Sequence, residues 1–220
     1  MWIKPLYRNR AEAGRKLAER LKPAFSATDT LILALPRGGV PVGFEIAAAL
    51  NCDLDVFLVR KIGVPGHEEL AMGAVASGGV RVLNEEVIRQ LEIPQSAIEN
   101  GTKRELGEIE RRERLYREGR PALRPAGRSV LLVDDGLATG ATMLAATRAV
   151  RQQGPARLAV AAPVGSIEAC EEFRRDVDEI LCAATPQPFH AVGIWYEDFA
   201  QTSDEEVREL LERGAHQYSR

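Results

Sequence analysis

The sequence predicts an α/β fold in which a mostly parallel central sheet is flanked by helices. Three observations carry this. Short apolar runs at residues 31–35, 130–133 and 158–163 have the length and composition of strands buried on both faces. Helix-forming segments separate them, so strands and helices alternate along the chain. The chemically unusual turns, Arg37-Gly38-Gly39 and Asp134-Asp135, follow the last residues of such strands, which is where open parallel sheets bind ligands.

In chain order, residues 9–21 read as a helix capped by Asn9, with Glu12 at the capping-box position, Leu17 and Leu21 on one face and Pro23 at its end. The strand at 31–35 and the Pro-Arg-Gly-Gly turn lead into a helix to about residue 50. Residues 54–60 read as the second core strand, closed by Arg60 and Lys61. Residues 62–69, broken by Gly and Pro, read as a loop. Residues 71–77 and 80–83 read as a hairpin turning at Gly78-Gly79. Asn84 caps a short helix, and residues 94–118 form one long helix that begins at Pro94 and stops before Gly119. Its charges alternate in sign, as on a solvated ion-paired face, with Ile98, Leu106, Ile109 and Tyr116 as an apolar stripe. The strand at 130–133 precedes a helix at 141–153, a strand follows at 158–163, Ser166 caps a helix to about 175, and 179–185 is the last parallel strand. Beyond Pro186, four aromatics (Phe189, Trp195, Tyr196, Phe199) fall within eleven residues of a chain that is 5% aromatic. Core packing is the ordinary explanation; a hood that stacks on a flat acceptor is the other. Ser203 and Glu206 open a final helix with Val207, Leu210 and Leu211 on its apolar face. The chain reads as a single domain over 1–220: a core at about 31–185, a long-helix insertion at about 94–119 and a C-terminal segment at 186–220.

Composition narrows the function classes. A net charge of -3 argues against nucleic-acid binding by bulk electrostatics. No apolar run approaches the ~18 residues needed to span a membrane, and no apolar segment follows Met-Trp-Ile-Lys-Pro to make a signal peptide. A cytosolic protein is expected, with Cys52, Cys170 and Cys182 as reduced thiols, since they are odd in number and lack a Cys-x-x-Cys pair. His67, His190 and His216 lie far apart, which argues against a zinc site.

The stretch Val130-Leu-Leu-Val-Asp134-Asp135-Gly136-Leu137-Ala138-Thr139-Gly140-Ala141-Thr142 concentrates the chemistry. Two adjacent carboxylates at a strand end need a cationic or hydroxylic partner. The turn after them offers backbone N–H groups, two hydroxyls and a helix N-terminus, which suit a phosphate. The turn holds no Lys, so it is not a Walker A loop, and Gly136 and Gly140 do not make a Gly-x-Gly-x-x-Gly fingerprint. The stretch resembles the phosphoribosyl diphosphate (PRPP) signature of the type I phosphoribosyltransferases, and Arg37-Gly38-Gly39 resembles the pyrophosphate loop of the bacterial xanthine–guanine enzymes. The resemblance spans about residues 31–185.

That resemblance implies a fold with a mobile lid hairpin and a C-terminal hood, and transfer of 5-phosphoribose from PRPP to a nitrogenous acceptor, a nucleobase, with release of pyrophosphate. It implies Mg²⁺ and a homodimer; the charge and the lack of a long apolar run are what argue against a nucleic-acid or membrane partner. Asp134 and Asp135 would hold the ribose hydroxyls, directly or through the metal; Ala138, Thr139, Gly140, Ala141 and Thr142 the 5-phosphate; and Arg37, Gly38, Gly39 and Lys61 the pyrophosphate. Trp195, Tyr196 and Phe199 would form the hood. Family members often hold a non-proline cis peptide in the pyrophosphate loop. The 6-oxopurine enzymes carry an Asp where this chain has Ala138, so the loop looks more like that of the adenine enzymes, which draw an acidic group from the lid. On that resemblance Glu68 or Glu69 would serve in that way. The alternative is a non-catalytic protein of the same fold that binds PRPP or a nucleotide and regulates a partner. The surviving Arg-Gly-Gly turn and lid-like segment favour the enzyme. A phosphatase ranks last, because Asp134-Asp135-Gly136 is not Asp-x-Asp.

Overall fold

The computed structural model describes residues 4–25 and 29–217; the first three residues and the side chain of His216 lie outside that description. In order the elements are α1 (Arg10–Leu21), β1 (Thr30–Ala34), α2 (Gly39–Leu50), β2 (Asp53–Val56), β3 (Val59–Val64), β4 (His67–Ala76), β5 (Val80–Leu83), α3 (Glu85–Gln90), α4 (Gln95–Arg117), β6 (Ser129–Val133), α5 (Ala141–Arg151), β7 (Arg157–Val164), α6 (Ile167–Glu172), β8 (Glu179–Ala184) and α7 (Asp204–Gln217). Five strands form a parallel sheet in the order β2-β1-β6-β7-β8. The expected α/β fold is the one observed.

Alternation along β1 shows why this sheet is covered on both sides. Ile32 and Ala34 pack with Leu17, Val42 and Ile46 of α1 and α2 and with Ile109 and Val207 of α4 and α7. Leu31 and Leu33 pack on the opposite face with Met143, Ala146 and Val150 of α5. Each large side chain so buried contributes about 1.5–3 kcal/mol. From β1 the chain crosses over by α2 to β2 on one side; from β6 it crosses by α5, on the other face, to β7. The two crossovers diverge between β1 and β6. That is the topological switch point of the sheet, where a crevice opens beyond the strand ends. Ala34 pairs with Val133 at this point, which brings the turns after both strands together.

The stretch expected to be one core strand at 54–60 is divided. β2 ends at Val56, buried Phe57 and Leu58 cross between sheets, and β3 enters a separate antiparallel sheet in the order β3-β4-β5. The Phe57 N–H still donates to the Ala34 carbonyl, while the Leu58 N–H donates to Ser77 Oγ. Arg60 and Lys61 therefore lie within β3 and do not close a core strand. The expected loop at 62–69 is a second hairpin, turning at Pro65-Gly66 with Gly66 at φ +78°. The β4–β5 hairpin turns at Gly78-Gly79 as expected.

The helix ends follow their local signals. Asn9 Oδ1 accepts the Glu12 N–H, though the Glu12 carboxylate reaches back to the Arg8 N–H, not to Asn9. Asn84 caps α3 and Ser203 caps α7. The thiol expectation is corrected at two positions: Cys170 of α6 and Cys182 of β8 form a disulfide, and both sulfurs lie beside Gly165, at the turn after β7. Cys52 is a free buried thiol, pushed up to about 12, foremost by burial.

Candidate functional site

The site is assembled where the β1 and β6 turns meet. The peptide bond between Pro36 and Arg37 is cis, the feature expected of a pyrophosphate loop. A Cβ on Gly39 would lie 2.6 Å from the Val133 carbonyl oxygen, and one on Gly38 only 2.0 Å from Asp135 Oδ2. The close approach requires glycine at position 39, where the atom met is backbone; at Gly38 a side-chain carboxylate would have to move aside. The Gly39 N–H is committed to the Leu35 carbonyl, so Gly39 brings the turn close without serving as a donor. Arg37 is 34% exposed, with Nη1 3.7 Å from Asp204 Oδ1 at the start of α7. The Tyr116 hydroxyl of α4 donates to that same oxygen.

Asp134 and Asp135 sit at the C-terminal end of β6. Asp134 Oδ1 accepts the Asp135 N–H. Burial foremost, and then the charge of Asp135, pushes the Asp134 carboxyl well above the ordinary aspartate range. Burial also raises Asp135, and the hydrogen bond and charge of Arg10 pull it part of the way back. Arg10 Nε donates to Asp135 Oδ2 at 2.8 Å. The Tyr196 hydroxyl donates to the Asp135 carbonyl at 2.6 Å. Nothing in the sequence patterns marks Arg10 as a site residue except its position in the first turn of a helix. There the macrodipole disfavours a cation, and a tertiary partner has to offset this.

After the acid pair, the chain is tied down before it opens into the phosphate-like loop. The Leu137 N–H donates to the Val164 carbonyl, and Ser166 Oγ donates to the Ala138 carbonyl while accepting the Ala169 N–H. Ser166 thus braces the loop from the end of β7. Gly140 takes φ +72° and opens α5 with no side-chain cap. The first N–H groups of an eleven-residue helix point outward there. Thr139, Ala141 and Thr142 line a cleft of about 1080 Å³ between α5 and the three-stranded sheet. Lys61 and Glu69 line it too, joined by an ion pair of 2.9 Å, with the Glu69 side chain almost fully exposed. Glu68 faces Arg104 of α4 at 3.6 Å. Burial opposes ionisation of Glu105 beside them, but hydrogen bonds from Arg104 and Arg60 outweigh it and hold the carboxyl below its usual range.

The expected residues thus fall into two adjoining groups. Arg37, Gly38, Gly39, Asp134 and Asp135 meet at the switch point. Thr139, Ala141, Thr142, Lys61 and Glu69 face the cleft. The acid pair and the Arg37 turn are not among the residues lining that cleft. The hood expectation is corrected at Trp195 and Tyr196. Both rings are buried, 7% and 4% exposed, in a cluster with Tyr7 and Val164, so neither presents a face for stacking. Their packing instead carries the Tyr196 hydroxyl to Asp135. Phe199 lies under the guanidinium of Arg10, 3.9 Å from its ring centroid.

Two adjacent carboxylates of raised pKa, one already carrying a guanidinium, are a donor set suited to a hard cation. No cluster of three or more metal-ligating side chains occurs among the described residues. Mg²⁺ is commonly held by one or two carboxylates with substrate oxygens completing the shell, and Asp134 and Asp135 fit that pattern.

The comparisons with known proteins bear on this same segment. Residues 65–191, more than half of the chain, match the family described as the phosphoribosyl transferase domain. The chain belongs to the phosphoribosyl transferase family. Two curated proteins of Mycobacterium tuberculosis, provisionally named as phosphoribosyl transferases, are each 43% identical over 97% of this chain and 48% of their own. The chain thus spans about half the length of those relatives. The crystal structure of TT1426 from Thermus thermophilus is 44% identical, covers 94% of this chain and 98% of its own, and superposes with a TM-score of 0.84. AQ2163 from Aquifex aeolicus, 12% identical over 92% of this chain and 84% of its own, shares the fold with a TM-score of 0.51. The family match takes in the acid pair and the phosphate-like loop of the transferase domain; Arg10 and the Arg37 turn precede it.

Proposed function

We propose that this chain transfers 5-phosphoribose from PRPP to a nitrogenous acceptor, a nucleobase, and releases pyrophosphate. The observation that carries the reading is the contact of the Arg37-Gly38-Gly39 turn with the Asp134-Asp135 pair at the switch point, beside an uncapped helix N-terminus. A diphosphate, a ribose and a 5-phosphate are the parts of one ligand that such neighbours suit.

In this reading the Arg37 fork holds the diphosphate. The carboxylates of Asp134 and Asp135 orient the ribose hydroxyls, and their charge favours the oxocarbenium character that develops as the C1–oxygen bond breaks. The N–H groups and hydroxyls of the loop from Ala138 to Thr142 hold the 5-phosphate. Mg²⁺, when bound, neutralises the diphosphate and improves it as a leaving group. The β3–β4 hairpin, carrying Lys61 and Glu69, acts as a lid that excludes water. Glu69 is then the carboxylate available to take a proton from the acceptor. Ala138, in place of an acidic residue, supports an adenine-like acceptor over a 6-oxopurine. The net charge of -3 supports a small-molecule substrate and no nucleic-acid partner. No helix of the described residues is long and apolar enough to cross a membrane. A cytoplasmic homodimer completes the reading, and light scattering tests its oligomeric part.

The test is pyrophosphate release from PRPP and Mg²⁺ across a panel of purines, pyrimidines and small amines. An Asp134→Ala/Asp135→Ala double variant runs alongside. Release with one acceptor, lost in the variant, is the expected result. Tight PRPP binding without release for any acceptor would favour a regulatory protein. If PRPP neither reacts nor binds, the reading falls.

A further inference from the structure

Asp135 is held by a cation from outside the three motifs. Arg10 stands in the first turn of α1, 125 residues away in sequence. Three contacts fix its guanidinium: Nε donates to Asp135 Oδ2 at 2.8 Å, Nη1 donates to the Ala200 carbonyl at 2.7 Å, and the Phe199 ring lies 3.9 Å away. Both charged side chains are nearly enclosed, 11% and 15% exposed. A Cβ on Gly38 would come within 3.3 Å of Arg10 Nε, so this cation also adjoins the diphosphate turn. Asp134 makes no ion pair with a described side chain; its Oδ1 accepts only the neighbouring N–H.

We propose that Arg10 is a positioning residue for the acid pair. It turns Asp135 onto the Gly38 turn and leaves Asp134 as the carboxylate offered to the ligand. It also lends the site a fixed positive charge, so that PRPP binding depends less on divalent cation. The C-terminal aromatic segment then serves to hold Arg10 in place, through Phe199 and Ala200. This inference rests on the phosphoribosyltransferase reading and names a residue that reading does not include.

The experiment measures PRPP affinity of the full chain by calorimetry over a Mg²⁺ series starting in chelator, for wild type, Arg10→Gln and Arg10→Lys. The melting temperature is followed in parallel against Mn²⁺ without PRPP. For Arg10→Gln, affinity at low Mg²⁺ falls roughly tenfold, the scale of one charge-assisted contact, and recovers as Mg²⁺ saturates. The Mn²⁺ midpoint moves to lower concentration, because Asp135 is released to the metal. Arg10→Lys keeps the charge and follows the wild-type Mg²⁺ dependence. A purely structural ion pair would weaken PRPP by one factor at every Mg²⁺ concentration and leave the Mn²⁺ midpoint unmoved; that result overturns the inference. So does Arg10→Lys behaving as Arg10→Gln. Should Arg10→Gln fail to fold, Phe199→Leu loosens the guanidinium and keeps its charge. It is expected to shift the Mg²⁺ series in the same direction by less, and no shift overturns the inference. Wild type failing to bind PRPP at any Mg²⁺ concentration overturns the phosphoribosyltransferase reading itself, and this inference with it.

Discussion

Asp134 shows most directly how a functional residue works against the fold that carries it. Its folded pKa is raised by burial and by Asp135, so the folded state binds its proton more tightly than the unfolded chain does. Stability therefore falls as pH rises from the unfolded value, about 3.9, toward the folded one. Asp134→Asn removes that penalty. Its melting temperature should exceed wild type at pH 7, with the gap closing near pH 4, while pyrophosphate release drops by about two orders of magnitude or more. A lower melting temperature at pH 7 would refute the strain. The glycines give a paired contrast. A Cβ on Gly38 meets the movable Asp135 carboxylate, whereas one on Gly39 meets the fixed Val133 carbonyl. Gly39→Ala should cost about 1–3 kcal/mol in urea unfolding; Gly38→Ala should cost less in stability and lose turnover by displacing Asp135. The acid pair, the phosphate-like loop and the Arg-Gly-Gly turn are legible in the sequence because each is a local run of unusual residues. Arg10 is not, because its partner is distant in sequence and an arginine at a helix start carries no pattern.

Among the elements, those with local punctuation are the legible ones. Asn9, Asn84 and Ser203 cap the helices expected of them. The failure at residues 54–60 has a physical cause: an apolar run reports burial, not which sheet receives the strand. Phe57 and Leu58 are as buried in passing between sheets as they would be inside one. Trp195 and Tyr196 are open to either reading because aromatic clustering does not distinguish a buried cluster from a stacking face. The junction of α5, β7 and β8 offers a check through pH. The Leu158 N–H foremost, and then Arg151 of α5, hold the Asp178 carboxyl below its usual range. A depressed folded pKa contributes stability above the unfolded value and loses it as pH falls through the folded one. Asp178→Asn should therefore melt lower than wild type at pH 7, with the difference shrinking in acid. A difference that persisted at pH 3 would mean that the amide disturbs packing and that charge is not the cause.

At the scale of the whole molecule, the long helix is fastened to the sheet by a buried charge. Arg117 at the end of α4 pairs with Asp55 of β2, side chains 9% and 8% exposed, and also donates to the Val56 carbonyl. Asp55 in turn accepts the Leu123 N–H, so one carboxylate joins β2, α4 and the segment leading to β6. Arg117→Ala leaves that carboxylate without its cation and should cost about 3–5 kcal/mol, read from the urea midpoint; a loss below about 1 kcal/mol would show that water replaces the arginine. The central strand order has a further consequence, in time. β1 pairs on one side with β2, which follows it closely, and on the other with β6, which begins at Ser129. At a synthesis rate of roughly 5–20 residues per second, the β6-facing edge of β1 waits on the order of 5–20 seconds on the ribosome for its partner. All five of its residues are buried in the finished sheet. Slow translation and chains stalled before Ser129 expose this strand the longest, so truncated products should be the first to engage chaperones or aggregate.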